Sequence, residues 1–437
     1  MILLKKKYKI GNFFRNLSRL SFLNKILSKI IFFNLKYSNY FLNNYEYIKR
    51  KDYTHSYPTI ISLNTTNLCN YRCTFCEIHY FYDFAKKTAG KIFPNNIDSK
   101  FIKKFDDLFN HIFSIELSGA SGEPLLNLNF LDICKKFKEK NIELSVTTNG
   151  SMLNKNTAEN LINMKFNHTM ISLHSGEEKN YFELQGGNFN TVIKNLEYLI
   201  KLKKKKSSNL PKVSINCLVF KLNKHFIKKL IKKIKEIGID EMNINQYYAS
   251  RNKINQEVSF YFNPKEGNDF LREIYQYANN INLKLKPEKP EFIDIDKSVS
   301  KQNNDYICEA PWNSLKFKGC VEFEYSHYVA VCNRIILFRI NYDEFEGNFI
   351  KDIWNHEIIR YFRKNVMKNP ICQFCRNPNT LILRCLDNRA YQVERDIAVK
   401  KFLNSVIKEI NVKQKKGIFL LNENPYKYVN YYEKSKD

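Results

Sequence analysis

Residues 59–76 read TIISLNTTNLCNYRCTFC. The apolar opening, TIISL, predicts a strand that runs out through polar Asn and Thr into a loop. That loop carries Cys69, Cys73 and Cys76, separated by three and then two residues, with the aromatic Phe75 directly before the last. Moving outward, apolar strand-like runs alternate with amphipathic stretches up to about residue 246. The strands expected are TIISL, IFSIELSG, IELSVTTN, HTMISLH, VSINCLVF and EMNINQ. Between them, SKFIKKFDDLFNHI, NFLDICKKFKEK, KNTAENLINMK, FNTVIKNLEYLIKL and NKHFIKKLIKKIKEIG read as helices. Strand and helix in strict alternation predict parallel strands with crossover helices, an α/β fold. In barrels of this kind function gathers where strands end, and the cysteine loop follows the end of the first.

The run CNYRCTFC resembles the cluster motif of the radical S-adenosylmethionine (SAM) enzymes. Three thiolates on one short loop suit three corners of a four-iron cubane and leave one iron open. In the family that iron is chelated by SAM, which an electron from the cluster cleaves to a 5′-deoxyadenosyl radical. The competing reading is zinc, with His79 completing a Cys3His set; structural zinc loops more often pair cysteines in two-residue knuckles, which this loop does not. The resemblance implies a partial (β/α)6 TIM-like barrel. It also places SAM contacts after the second strand, where Ser121-Gly122-Glu123-Pro124 stands for the family's glycine-glutamate-proline turn with serine replacing the first glycine. Phe75, Ser172 and Asn216 are further candidate SAM contacts, although a polar side chain at a strand end can equally cap a turn. TTNG at Thr147–Gly150 and QGGNF at Gln185–Phe189 also match the family's pattern, while His174, with Ser172, ends the fourth strand. An external electron donor such as flavodoxin or ferredoxin is implied.

A second group, Cys308, Cys320, Cys332, Cys372, Cys375 and Cys385, lies on CEAPWNSLKFKGC, VAVC and ICQFC, with GNFIKDIWN between. The combination resembles the SPASM or twitch extension of radical SAM enzymes, which carries auxiliary iron-sulfur clusters. Six cysteines complete one set of four, not two. The set expected is Cys308, Cys332, Cys372 and Cys375, with VEFEYSHYVA as a lengthened hairpin and Cys320 and then Cys385 as substitutes. Zinc closed by two separated cysteines and a CxxC remains the alternative.

The chain has 437 residues, enough for two or three domains. The divisions expected are 1–58, a basic amphipathic N-terminal segment; 59–250, the barrel; 251–307, a helical linker; 308–386, the auxiliary cluster domain; and 387–437, a helical tail. Nine of eleven cysteines fall in the two groups, which argues for metal chemistry in a reducing cytoplasm rather than disulfides. No apolar run approaches the roughly 20 residues of a spanning helix, and no cleavage site marks a signal peptide. The net charge of +27 raises anionic partners, but the Lys, Asn, Ile, Phe and Tyr richness is what an AT-rich genome produces, and no nucleic-acid module is readable. The Lys203–Lys206 run reads as a solvated loop.

Residues 1–51 hold twelve Lys or Arg against Glu46 alone. In LSRLSFLNKILSKIIFF, residues 17–33, apolar positions recur at helical spacing, which suits either an anionic membrane surface or docking on the main domain. The function expected is hydrogen-atom abstraction from a small polar or saccharide-like metabolite. A peptide-modifying maturase is the alternative, less favoured because the N-terminal segment has helical periodicity and no paired strands to grip a peptide. A catalytically silent iron-sulfur protein is the third reading.

Overall fold

The expected strands line up in chain order. The computed structural model describes residues 34–76, 90–118, 122–247, 258–289, 308–332 apart from 321, 336–366 and 415–420, with a few single positions between. Within it β1 (Ile60–Leu63), β2 (Ser114–Ser118), β3 (Glu143–Thr148), β4 (His168–Ser172), β5 (Lys212–Val219) and β6 (Glu241–Gln246) pair side by side and parallel. Two further parallel strands join the edges: β7 (Lys284–Lys286) beside β6, and β8 (Ser314–Gly319) beside β1. From β8 the sheet continues antiparallel through β9 (Ser326–Ala330), β10 (Phe338–Asn341) and β11 (Ile418–Leu420). Segments expected as linker and auxiliary domain, and one expected as a helical tail (β11), thus contribute strands to the same sheet. Of VEFEYSHYVA, expected as a lengthened hairpin, Ser326–Ala330 forms β9, whose antiparallel partner is β8, ahead of Cys320.

Helices Phe130–Glu139, Lys155–Asn163, Phe189–Lys205 and Lys224–Ile237 make crossovers. Asn154 and Asn188 cap two of them, each side chain accepting from the backbone N–H three residues on. Gly238, left-handed at φ 95°, ends the last. SKFIKKFDDLFNHI, expected as one helix, is two, Ser99–Lys104 and Asp106–His111, broken at Phe105, whose ring is buried against Phe101 and Phe317.

The apolar face of the sheet, including Leu63, Leu117, Val146, Ile171, Ile215 and Met242, is sealed beneath the helices with Leu161, Leu196 and Leu230. Each such side chain contributes about 1.5–3 kcal/mol by leaving water. The opposite face is mainly polar: Ser62, Glu116, Thr147, Ser172, Asn216 and Asn243 fall there, half-buried or exposed, with Ile60, Met170 and Leu218 among them.

The C-terminal block is clasped to the stretch before β1. Trp312 Nε1 donates to Lys51 O at 2.8 Å, and Trp354 Nε1 to Ser56 O at 2.8 Å. Arg363 is buried between them, donating to Pro311 O, Asp52 O, Asn355 Oδ1 and Trp354 O. Burial pushes its pKa down to about 9. The PWN and IWN phrases therefore have a structural reason here: each tryptophan is a large apolar body whose N–H finds a backbone carbonyl.

Candidate active site

The cysteine loop leaves β1 at its C-terminal end and is braced on three sides. Beneath it lies the turn after β2. Glu123 N–H donates to Leu68 O at 2.7 Å, and a Cβ added at Gly122 would stand 2.2 Å from Thr66 O, so only glycine lets the turn come this close. The buried Glu123 carboxylate accepts from Thr148 Oγ1 at 2.5 Å, Asn149 N at 2.7 Å and Leu125 N at 3.1 Å. Burial still pushes its pKa up to about 6 against those bonds. Pro124 starts the 3-10 turn Pro124–Leu126 that follows.

On the second side, Asn149 Nδ2 donates to Asn70 Oδ1 at 2.9 Å, and Asn70 Nδ2 to Ser151 Oγ at 2.9 Å, tying the loop to the TTNG strand end. On the third, helix Glu178–Gln185 ends at left-handed Gly186, whose neighbour Gly187 packs on the Tyr71 ring. An added Cβ at Gly187 would lie 2.1 Å from Tyr71 Cζ. Thr74 N–H donates to Leu184 O at 2.9 Å, and Cys73 Sγ lies 3.6 Å from Gln185 O.

Gln185 is a keystone that the sequence did not single out beyond its place in QGGNF. Its Oε1 accepts from His174 N at 2.9 Å and its Nε2 donates to Ser172 O at 3.1 Å, so it locks the end of β4 to the cysteine loop. His174 is buried, its Nδ1 accepting from Leu218 N at 3.0 Å, and desolvation pulls its pKa down to about 3. It meets the Phe75 ring edge-on at 4.9 Å. Phe75 therefore packs on the β4 end in this structure. Ser172 and Asn216 are register partners on β4 and β5, and Asn216 Oδ1 accepts from Asn245 Nδ2 at 2.6 Å.

Cys69, Cys73 and Cys76 are half-buried, and each lies near enough to the others for charge on one to disfavour charge on the next. Burial, reinforced by that repulsion, raises Cys69 to about 11 and Cys73 well above the ordinary thiol range. Three half-buried thiols gathered on one short loop, with Cys69 and Cys73 held neutral by burial, fit a site whose occupant is a multiply charged, thiolate-loving cation cluster. Among the described residues no three Cys, His, Asp or Glu side chains already converge at metal-binding distance. In the second group, Cys320 is fully buried with Sγ 3.3 Å from Glu322 Oε2, and burial pushes its thiol up to about 12. Cys308, Cys332 and Cys372 are half-buried. His79, Ser121, Cys375 and Cys385 lie outside the described residues.

Residues 63–234 match the radical SAM superfamily. The chain is 22% identical over 323 residues to the tungsten-containing aldehyde ferredoxin oxidoreductase cofactor-modifying protein of Pyrococcus furiosus, covering 72% of this chain and 86% of that protein. It is 31% identical over 144 residues to a probable GTP 3′,8-cyclase of Thermococcus kodakarensis, a match spanning 33% of this chain and 44% of the cyclase. Among solved structures, Streptococcus suis SuiB shares the fold at a TM-score of 0.50 and 17% identity, over 87% of this chain and 82% of SuiB. That share of this chain exceeds the barrel itself. The chain carries a radical SAM domain at residues 63–234. It is an enzyme of that class, and its cofactors are the class's own, a [4Fe-4S] cluster and SAM.

Proposed function

We propose that Cys69, Cys73 and Cys76 hold the SAM-binding cluster and that the enzyme abstracts a hydrogen atom from a small polar substrate lying against the inner face of the sheet. When bound, cluster and SAM supply the hydrogen-abstracting radical. The protein's own work is to fix the loop and to shape the substrate's seat. Glu123, Asn70 and Gln185 fix the loop from three sides, while Gly122 and Gly187 let those supports approach. Gly122, Glu123 and Pro124 form the turn assigned to the SAM amino group; Ser172 and Asn216, at the ends of β4 and β5, are assigned to its ribose or carboxylate, and Phe75 to its flank.

The observation that carries the substrate class is the inner face, where Ser62, Glu116, Thr147 and Asn243 present hydroxyl, carboxylate and amide groups. An apolar substrate would take these groups out of water without replacing water's hydrogen bonds, whereas a hydroxylated one exchanges hydrogen bonds with them. An auxiliary [4Fe-4S] cluster on Cys308, Cys332, Cys372 and Cys375 completes the assignment. Cys332 is preferred to Cys320, which is fully buried with its Sγ 3.3 Å from Glu322 Oε2. An external one-electron donor such as flavodoxin or ferredoxin is required to start the cycle.

Anaerobic protein loaded with iron and sulfide, given dithionite and SAM, should release 5′-deoxyadenosine, and the Cys69, Cys73, Cys76 triple alanine variant should release none. A panel of sugars and polyols in deuterated form, beside short peptides, then tests the class through deuterium carried into 5′-deoxyadenosine. Label arriving from peptides alone would favour the maturase reading; no 5′-deoxyadenosine from wild-type protein would sink the enzyme assignment.

A further inference from the structure

Helix Leu35–Ile48 is inside out. Its buried residues are Asn39, Asn43 and Glu46, at 5%, 2% and 2% exposure, while Leu35, Leu42, Tyr45 and Ile48 stand 55%, 39%, 52% and 71% exposed. An ordinary surface helix does the reverse, burying its apolar stripe. The polar side is not stranded. Asn39 Nδ2 donates to Tyr57 O and His111 O, both at 3.1 Å, and its Oδ1 accepts from Tyr57 N. Asn43 Nδ2 donates to Ser56 Oγ at 3.1 Å and to Trp312 O at 2.5 Å. Glu46 accepts from His55 N, Ser56 N and Ser56 Oγ. Hydrogen bonds thus pin the helix to the molecule by its polar face, Tyr40 and Tyr47 pack edge-on against Phe113 and Trp312 beside it, and Leu35, Leu42, Tyr45 and Ile48 are left facing outward.

Two further facts say what meets that face. Ile48 is followed at once by exposed Lys49, Arg50 and Lys51, and residues 1–51 carry twelve basic side chains against Glu46, whose charge is spent inside the protein. An apolar stripe beside a dense positive charge is complementary to an anionic bilayer, where the apolar groups enter the headgroup boundary and the cations meet lipid phosphates. The anchoring residues also set an orientation. Tyr57 precedes β1, His111 precedes β2 and Trp312 precedes β8, so the helix closes the N-terminal end of the parallel strands. The cysteine loop leaves β1 at the other end.

We infer that helix Leu35–Ile48 is a membrane-surface docking element that seats the enzyme on anionic lipid with its active site facing away from the bilayer. Two signals, one apolar and one polybasic, are what stable peripheral attachment requires. The preceding segment 17–33 is likewise basic and helically periodic in sequence.

Full-length, cluster-loaded protein floated with vesicles of equimolar phosphatidylcholine and phosphatidylglycerol should co-migrate at about 0.1 M salt, and should be released several-fold as salt rises toward 1 M and screening shortens. Vesicles of phosphatidylcholine alone should hold little. Leu42→Asp with Ile48→Asp should cut partitioning on anionic vesicles by about tenfold or more, with elution volume, iron content and 5′-deoxyadenosine release unchanged as proof of folding. The inference is overturned if wild-type protein ignores anionic vesicles, or if the double variant binds them as wild type does, which would assign binding to residues 1–33. It is equally overturned if the wild type forms a dimer that the double variant abolishes, since a second copy would then be the occupant. Ile48→Asp alone, at the most exposed position, gives the same reading should the double variant misfold.

Discussion

Three imidazoles show how single residues set the pH range of this fold. His174, His327 and His356 are buried, and desolvation lowers their pKa values to about 3, 4 and 4. The folded chain refuses a proton that the unfolded chain takes up near pH 6.5, so their contribution to stability is full above that pH and is lost as pH falls toward the folded values. At pH 5 each difference amounts to roughly 2 kcal/mol. Glu123 works the other way: its pKa, raised to about 6, makes folding easier as pH falls from there to about 4.5, by at most about 2 kcal/mol. The histidines outweigh it. Urea midpoints of the wild-type protein are therefore expected to drop steeply between pH 7 and pH 5, and His174→Phe, which cannot titrate, should show a shallower slope; equal slopes would show that His174 is not the neutral, buried group described. None of this was legible in the sequence, where His174 was visible only as a strand-end residue, because burial and the Leu218 N–H that its Nδ1 accepts come from β5, more than forty positions away.

Elements were far more legible than their joints. All six strands of the barrel appear where apolar alternation put them, because one face of each is driven against helices and the other is left polar. Strands β7 and β8 were missed, since three residues of Lys-Leu-Lys carry no periodicity and the pairing of β8 with β1 joins positions some 250 apart. The turn at Gly122 was read as a ligand contact and QGGNF, with Gly187, as a match to the family's pattern. The structure adds a second reason for their glycines, close packing against the cysteine loop itself. That reason predicts an order of effects. Gly122→Ala drives a methyl into backbone carbonyls that cannot swing away, whereas Gly187→Ala meets the Tyr71 ring, which can rotate only by moving the loop. Both should destabilise by about 1–3 kcal/mol, Gly122→Ala the more, and both should lower iron retained by the catalytic loop. Full iron loading in both, measured after desalting, would show that the close approach is not needed to hold the loop.

At the scale of the molecule, one sheet carries both cysteine regions. Asn67 and Asn95 each donate to Cys320 O at the end of β8, at 2.8 and 2.5 Å, so the strand that opens the second region is stitched to the loop that precedes Cys69. The described strands of that region, β8 to β10, therefore extend the barrel edge, and their loss should be felt as a change in one unfolding transition rather than the disappearance of a separate one. The chain's metal content is the most exposed expectation. Reconstituted wild-type protein should hold about eight irons, two four-iron cubanes on cysteine thiolates. Alanine at Cys69, Cys73 and Cys76 together should leave about four. Alanine at Cys308, Cys332, Cys372 and Cys375 should also leave about four yet spare 5′-deoxyadenosine release, because the open iron that meets SAM belongs to the other loop. If Cys320 is a ligand after all, Cys320→Ala must strip those auxiliary irons as completely as Cys332→Ala does; its buried bond to Glu322 predicts that it will not. A wild-type protein with four irons and one zinc would overturn the auxiliary cluster and leave the catalytic one standing.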